Sequence, residues 1–242
     1  MLLKGALNGA RQLGSHPALP TTPEAFAEAA RGAVGGGAGA IHVHVRDLDA
    51  AESVRAEDVA RIITVLRGAI PTIPVGVSTH FGIVGDAAQR HAQVAEWSVL
   101  PDFASVNFNE PGSVELAELL MEKGVGVEAG LFDAEAASTC VDSGLAPRCL
   151  RLMMEPRGGD FEAAVRSVDE MESVLAAAGV GRPRLLHGSR ATAWPLIEVA
   201  TQRGYDTRAG LEDMFELADG TIARDNAEIV AEAARRIAAV MG

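Results

Sequence analysis

One pattern runs through the chain from end to end: a short apolar, β-branched run followed by a longer Ala/Glu/Arg-rich segment, repeated eight times in 242 residues. The short runs fall at 2–8, 40–46, 73–79, 103–109, 124–132, 148–155, 183–188 and 206–212. Between them lie helical patterns. Thr22 is placed as an N-cap before Pro23, which opens EAFAEAARGAV, and that pattern dies in Gly35, Gly36 and Gly37. In the segment 56–69, Val59, Ile62, Ile63 and Leu66 recur at helical spacing. Further helices are expected near 85–97, 114–124, 134–143, 160–178, 192–204 and 226–240.

Strands alternating with helices imply a parallel sheet. Eight units of roughly 30 residues each match a (β/α)₈ TIM barrel. A doubly wound open sheet would carry a glycine-rich nucleotide turn after its first strand; the turn in this chain reads NGARQLG and lacks the G-x-G-x-x-G spacing. No linker or low-complexity stretch divides the sequence, so a single barrel domain over 1–242 is expected. The net charge of −12 argues against a nucleic-acid backbone or an anionic membrane as the main partner. Two cysteines, Cys140 and Cys149, are too few for a disulfide framework. With no run long enough for a signal peptide or a membrane span, a cytoplasmic protein is expected.

In a barrel of this kind the chemistry sits at the C-terminal ends of the strands. Those positions hold Asn8 and Arg11; His42, His44, Arg46 and Asp47; Ser78, Thr79 and His80; Asn107 and Asn109; Glu128; Glu155 and Arg157; His187; and Arg208, Glu212 and Asp213. Residues two apart on a strand share a face, so His42 and His44 point together into the barrel mouth, where two neutral imidazoles make half of a zinc site. A pair of hydrogen-bonded core histidines is the plainer alternative. On the eighth strand Arg208, Gly210 and Glu212 share one face, with Asp213 next. Barrel closure places that strand one position away from the second, so Glu212 can reach a cation held by His42 and His44. Gly210 is read as leaving room for a ligand. Two histidines and a carboxylate leave an open coordination position, as in a catalytic zinc site. Glu212 and Asp213 read equally well as a solvated loop or a cap.

Ser78 and Thr79 offer hydroxyl donors to a carboxylate or an oxyanion, or cap a helix. His187 is a further ligand, a substrate contact or a structural hydrogen bond. Glu128 shares its face with Gly124 and Gly126, which would leave space beside it; a buried ion pair with an arginine is the alternative.

The segments LNGAR, PTTPEAFAEAA, GAGAIHVHVRD, VGVST, FASVNFN, VEAGLFD and RAGLEDMFELADGTIARDNAEIV resemble, in order and over nearly the whole chain, the β-keto acid cleavage enzymes, the family of the 3-keto-5-aminohexanoate cleavage enzyme. The resemblance implies a zinc-dependent barrel that condenses a β-keto acid with acetyl-CoA to give a new CoA ester and acetoacetate. It implies His42, His44 and Glu212 as zinc ligands, and Arg208 and Asp213 as the pair that assists deprotonation of acetyl-CoA. Ser78, Ser105, Asn107 and Glu128 fall at substrate-pocket positions, and a homo-oligomer is expected on the same ground. Arg11 stands where many members carry a Glu suited to an amino-bearing substrate, which points to a neutral or anionic far end. The chain is shorter than typical members, and EPRGGDF after the sixth strand suggests trimmed loops for the CoA arm. A zinc hydrolase with Asp213 as base, and a non-catalytic metal- or small-molecule-binding barrel, are the competing functions.

Overall fold

Each apolar run forms a strand, and each strand is shorter than its run. In the computed structural model, which describes residues 1–158 and 160–242, the strands are β1 (Leu3–Ala6), β2 (Ala40–Val43), β3 (Val75–Ser78), β4 (Phe103–Asn107), β5 (Gly126–Leu131), β6 (Arg151–Met154), β7 (Arg184–Leu186) and β8 (Thr207–Ala209). Gly159, in the segment at 155–161 singled out as trimmed, lies outside the described residues. The helices are α1 (Pro23–Gly35), α2 (Ala56–Ala69), α3 (Ala87–Ala95), α4 (Ser113–Glu122), α5 (Ala134–Asp142), α6 (Phe161–Ala177), α7 (Ala193–Gln202) and α8 (Asn226–Met241).

All strand pairs are parallel, in the order β7-β6-β5-β4-β3-β2-β1-β8. Closure between β7 and β8 comes through a parallel bridge of Leu185 with Asp206, in which Leu186 N donates to Asp206 O and Asp206 N to Arg184 O, both at 2.9 Å. This is the TIM barrel expected from the repeat. The helices start where short polar side chains cap them. Thr22, Asp86, Asp133, Asp160 and Asp225 each accept an amide N–H from the first turn, which satisfies a donor the helix leaves free.

Strand residues facing the helices are apolar and buried, among them Ile41, Val43, Val75, Val77, Ala104, Val106, Val127 and Ala129. They pack with Phe26, Ile62, Leu66, Leu116 and Leu120 of the surrounding helices into one core. The barrel interior is different. Phe103 fills its middle, fitting against Gly76, where an added Cβ would lie 2.0 Å from the ring. Beside that ring Lys4 Nζ lies 2.5 Å from Glu128 Oε2, and Arg151 Nε lies 3.2 Å from Glu128 Oε1. No helix among the described residues is long and apolar enough to cross a membrane.

Candidate metal centre and active site

His42 lies on β2, and His44 follows one residue past its end. Both imidazoles nevertheless turn to the same side, with ring centroids 5.5 Å apart. The alternation holds past the strand because the backbone there stays bonded. Leu7 N donates to His42 O at 3.0 Å, and the Asn8 amide both accepts from His44 N and donates to His44 O, at 2.9 and 2.8 Å.

Glu212 reaches the histidines by a different route from the one its sequence position suggests. β8 ends at Ala209, and Gly210 to Asp213 form a turn in which the amides of Asp213 and Met214 both donate to Gly210 O, at 3.0 and 3.1 Å. Gly210 therefore does not open space for a ligand. A Cβ there would lie 2.1 Å from Ala6 O, so the missing side chain lets the turn close against β1. Gly9, at φ +56°, plays a matching role, since a Cβ on it would meet Glu212 Cγ at 2.4 Å.

The result is a compact donor set. One atom each from His42, His44 and Glu212 lie within 4.8 Å of one another. His42 Nε2 is 3.6 Å from Glu212 Oε2, and His44 Nε2 is 3.6 Å from Glu212 Oε1. Donors bound at about 2.1 Å in a tetrahedral zinc site stand roughly 3.4 Å apart, so the gap fits such a cation. Glu212 Oε2, although buried, has no hydrogen-bond partner among the described residues. The residues present fit a divalent metal.

Electrostatics around the donors are uneven. Burial holds His42 well below its ordinary pKa, which favours the neutral, ligating form. Burial also lowers His44, but the carboxylates of Glu212 and Glu52 outweigh it and raise that group to about 9. Glu212 is buried too, yet Arg208 and the two imidazoles keep its carboxyl well below the usual carboxylate range.

Glu52 escaped the reading of the sequence. It bonds His44 Nδ1, leaving Nε2 of the same ring to face Glu212. The residue is returned to the site by a tight loop in which Asp47 accepts from the amides of Asp49 and Ala51, and Arg46 bridges to Glu52 antiparallel. The turn-forming Asp47 was the available signal, but nothing in RDLDAAES says that its return strand meets a histidine. A carboxylate behind a ligating imidazole fixes its orientation and basicity. Glu52→Gln is expected to weaken metal binding by about 10- to 100-fold, measured by competition with a chelator. An unchanged affinity would remove Glu52 from the site.

A cavity of about 180 Å³ opens beside the donors, lined by Ser78, His80, Ser105, Asn107, Phe132, Glu155, Arg157, Arg208 and the three donors among others. Ser78 and Ser105 are register partners on β3 and β4, which sets their hydroxyls side by side. Of the residues placed at the strand ends or pocket from the sequence, Ser78, His80, Ser105, Asn107, Glu155, Arg157 and Arg208 meet here.

Asn8, Thr79, Glu128, His187 and Arg11 do not line it, and each is placed elsewhere by its own surroundings. The Asn8 amide is taken up by the His44 backbone. Thr79 Oγ1 donates to Ser105 O at 2.7 Å. Glu128 is fully buried in its ion pairs with Lys4 and Arg151, so the space expected beside it is filled. His187, also fully buried, lies between Glu155 and Asp213. Arg11 Nε donates to the carbonyls of Leu211 and Glu212 at 3.2 and 3.0 Å, and its guanidinium stacks on Phe215. It lines a separate cleft of about 680 Å³ and supports the Glu212 turn from behind. Ala10, its neighbour, faces the cavity beside the donor set instead.

Arg208 holds the two acidic neighbours together. It donates to both oxygens of Asp213, at 3.0 and 2.7 Å, and its Nη2 lies 2.9 Å from Glu212 Oε1. Asp213 is 2% exposed at its side chain and does not line the cavity. Burial raises its pKa against the opposing pull of Arg208 and His187.

All of residues 1–242 match the family model described as beta-keto acid cleavage enzyme. A 3-keto-5-aminohexanoate cleavage enzyme of Fusobacterium nucleatum subsp. nucleatum is 26% identical over 261 residues, covering 97% of this chain and 90% of its own length. The protein of the same description from Acetoanaerobium sticklandii is 24% identical, with the same coverage of both. Among solved structures, ObcA in a binary complex with oxaloacetate superposes with a TM-score of 0.70 at 18% identity, over 90% of this chain and 63% of its own. That last likeness is one of fold.

Proposed function

This chain belongs to the beta-keto acid cleavage enzymes, and from that premise we propose that it cleaves a small β-keto acid at a zinc centre held by His42, His44 and Glu212, passing the acyl fragment to CoA from acetyl-CoA. The observation that supports this most directly is the convergence of two imidazoles and one carboxylate at the edge of a cavity lined by hydroxyl and amide groups.

When bound, the metal supplies Lewis-acid polarisation of the keto oxygen. The chain supplies the rest. Ser78, Ser105 and Asn107 present hydrogen-bonding groups to the acid from β3 and β4, and Arg157 and Arg208 give the cavity its cationic wall. Asn107 is itself steered by Glu110, to which its amide donates at 2.8 Å. Arg208, fixed by Asp213, orients Glu212 as it faces the imidazoles. At about 180 Å³ the cavity is below the roughly 300–1,000 Å³ of sites for drug-sized ligands, so a short acid is the fitting substrate. Arg11 does not read its far end, because its guanidinium is engaged behind Glu212.

The test is a panel of β-keto acids of increasing length with purified, zinc-loaded protein, with and without acetyl-CoA. Short acids are expected to be consumed only with the thioester, yielding a new CoA ester and acetoacetate. Consumption at full rate without any CoA thioester would overturn the transfer reading.

A further inference from the structure

Around the cavity beside the donor set, most charged groups already face an opposite charge. Arg208 is engaged by Asp213 and Glu212. His80 Nε2 lies 3.5 Å from Glu110 Oε1, and Glu155 Oε2 lies 3.3 Å from His187 Nε2. Arg157 lines the same cavity and has no hydrogen-bond or ion-pair partner among the described residues. The local chain explains its placement. Glu155 N extends the β5–β6 ladder one residue past the strand by donating to Leu131 O at 2.8 Å. Pro156 has no N–H with which to continue that ladder. Arg157 then lies over Phe132, its guanidinium carbon 4.0 Å from the ring centroid. Phe132 follows β5 directly and is buried. A contact of this kind engages the guanidinium face and leaves its N–H groups for an acceptor.

Strand order adds the direction. In the closed sheet β6 is four strands from β2 either way round, so Arg157 stands across the barrel mouth from His42 and His44. Ser78, Ser105 and Asn107, on β3 and β4, lie on the arc between them. An acid whose keto group is held at the donor set therefore extends toward Arg157. We infer that Arg157 is a specificity-determining residue that receives a second carboxylate at the far end of the substrate, so that the substrate class is the short 3-oxo dicarboxylic acids. This rests on the proposed cleavage of a β-keto acid. The two oxygens of a carboxylate match the N–H fork of a guanidinium, and such bidentate pairs are stronger than neutral hydrogen bonds. A chain ending in a methyl group gives the fork no acceptor. One ending in an ammonium brings like charge to it. Glu155 does not reverse the preference, because His187 already faces its carboxylate.

Acids of similar length separate these cases: 3-oxoadipate, 3-oxohexanoate and 3-keto-5-aminohexanoate. With zinc-loaded protein and acetyl-CoA, kcat/KM is expected to favour 3-oxoadipate over 3-oxohexanoate by roughly 10- to 100-fold, the range of a charge-assisted hydrogen bond. Arg157→Met should bring the two acids to within a few-fold of each other. Arg157→Lys, which keeps the charge and loses the fork, should give an intermediate ratio. Calorimetry of the same acids on zinc-loaded protein without a thioester provides a reading separate from turnover, and its Kd ratios should follow the same order. A merely structural Arg157 would weaken all the acids alike. No preference for the diacid in the wild type, a preference for the amino-bearing acid, or an unchanged ratio in Arg157→Met would overturn the assignment. Diacid that binds through Arg157 yet is not cleaved would leave the receptor in place and remove the cleavage reading. Cleavage that is indifferent to the far end would do the reverse. A wild-type protein that binds none of these acids overturns both.

Discussion

His42→Ala, His44→Ala double substitution is expected to remove stoichiometric zinc and to lower turnover of a β-keto acid by roughly 1,000-fold. Two of three protein donors disappear, and Glu212 alone, already paired with Arg208 at 2.9 Å, does not hold a divalent cation. Lewis-acid polarisation contributes several kcal/mol to the barrier, and each 1.36 kcal/mol is a factor of ten, so about 4 kcal/mol gives the stated loss. Elemental analysis of the purified proteins reads the metal, and the rate is measured on the same samples. Glu212→Gln is the milder companion, since it keeps the shape and the packing against Gly9. Wild-type protein that binds no divalent metal, or a double variant that keeps wild-type turnover, would end the proposal of a metal centre.

Lys4→Met should destabilise the barrel by about 3–5 kcal/mol, the cost of leaving one member of a buried ion pair without its partner. Lys4 and Glu128 are both fully buried, and burial has already lowered the lysine pKa against the pull of Glu128. Without the ammonium, Glu128 retains only Arg151 at 3.2 Å, and one carboxylate oxygen loses its donor. The shift in urea midpoint at unchanged slope measures the loss. Lys4→Met combined with Glu128→Gln should cost less than the sum of the two single changes, because the second removes the charge that the first leaves stranded. A single variant within about 1 kcal/mol of wild type would mean that Arg151 alone neutralises the interior.

Secondary structure, barrel order and the candidate donor set were legible in the chain for a common reason. A parallel barrel repeats a strand and a helix at a fixed length, and it carries its polar groups at one end of every strand. The alternation His42, Val43, His44 survives beyond the end of β2, so parity predicted the pairing of the imidazoles correctly. Parity failed at Glu212, where the strand had already ended and a turn, closed against Ala6 at Gly210, made the approach. It also gave no sign of which rim residues face the cavity. Thr79 and Asn8 carry the same chemical types as Ser78, Ser105 and Asn107, yet their side chains are taken up by backbone groups.

The sequence by itself determined the barrel and the pairing of His42 with His44, because both follow from local periodicity and from the order of the strands. The tertiary structure decided which of the remaining polar groups face the cavity. That depends on contacts between residues far apart in the chain, such as Lys4 with Glu128, Glu155 with His187, and His187 with Asp213, and on where each strand stops. A side chain's reach is set by its partners in space, and a one-dimensional pattern does not contain them.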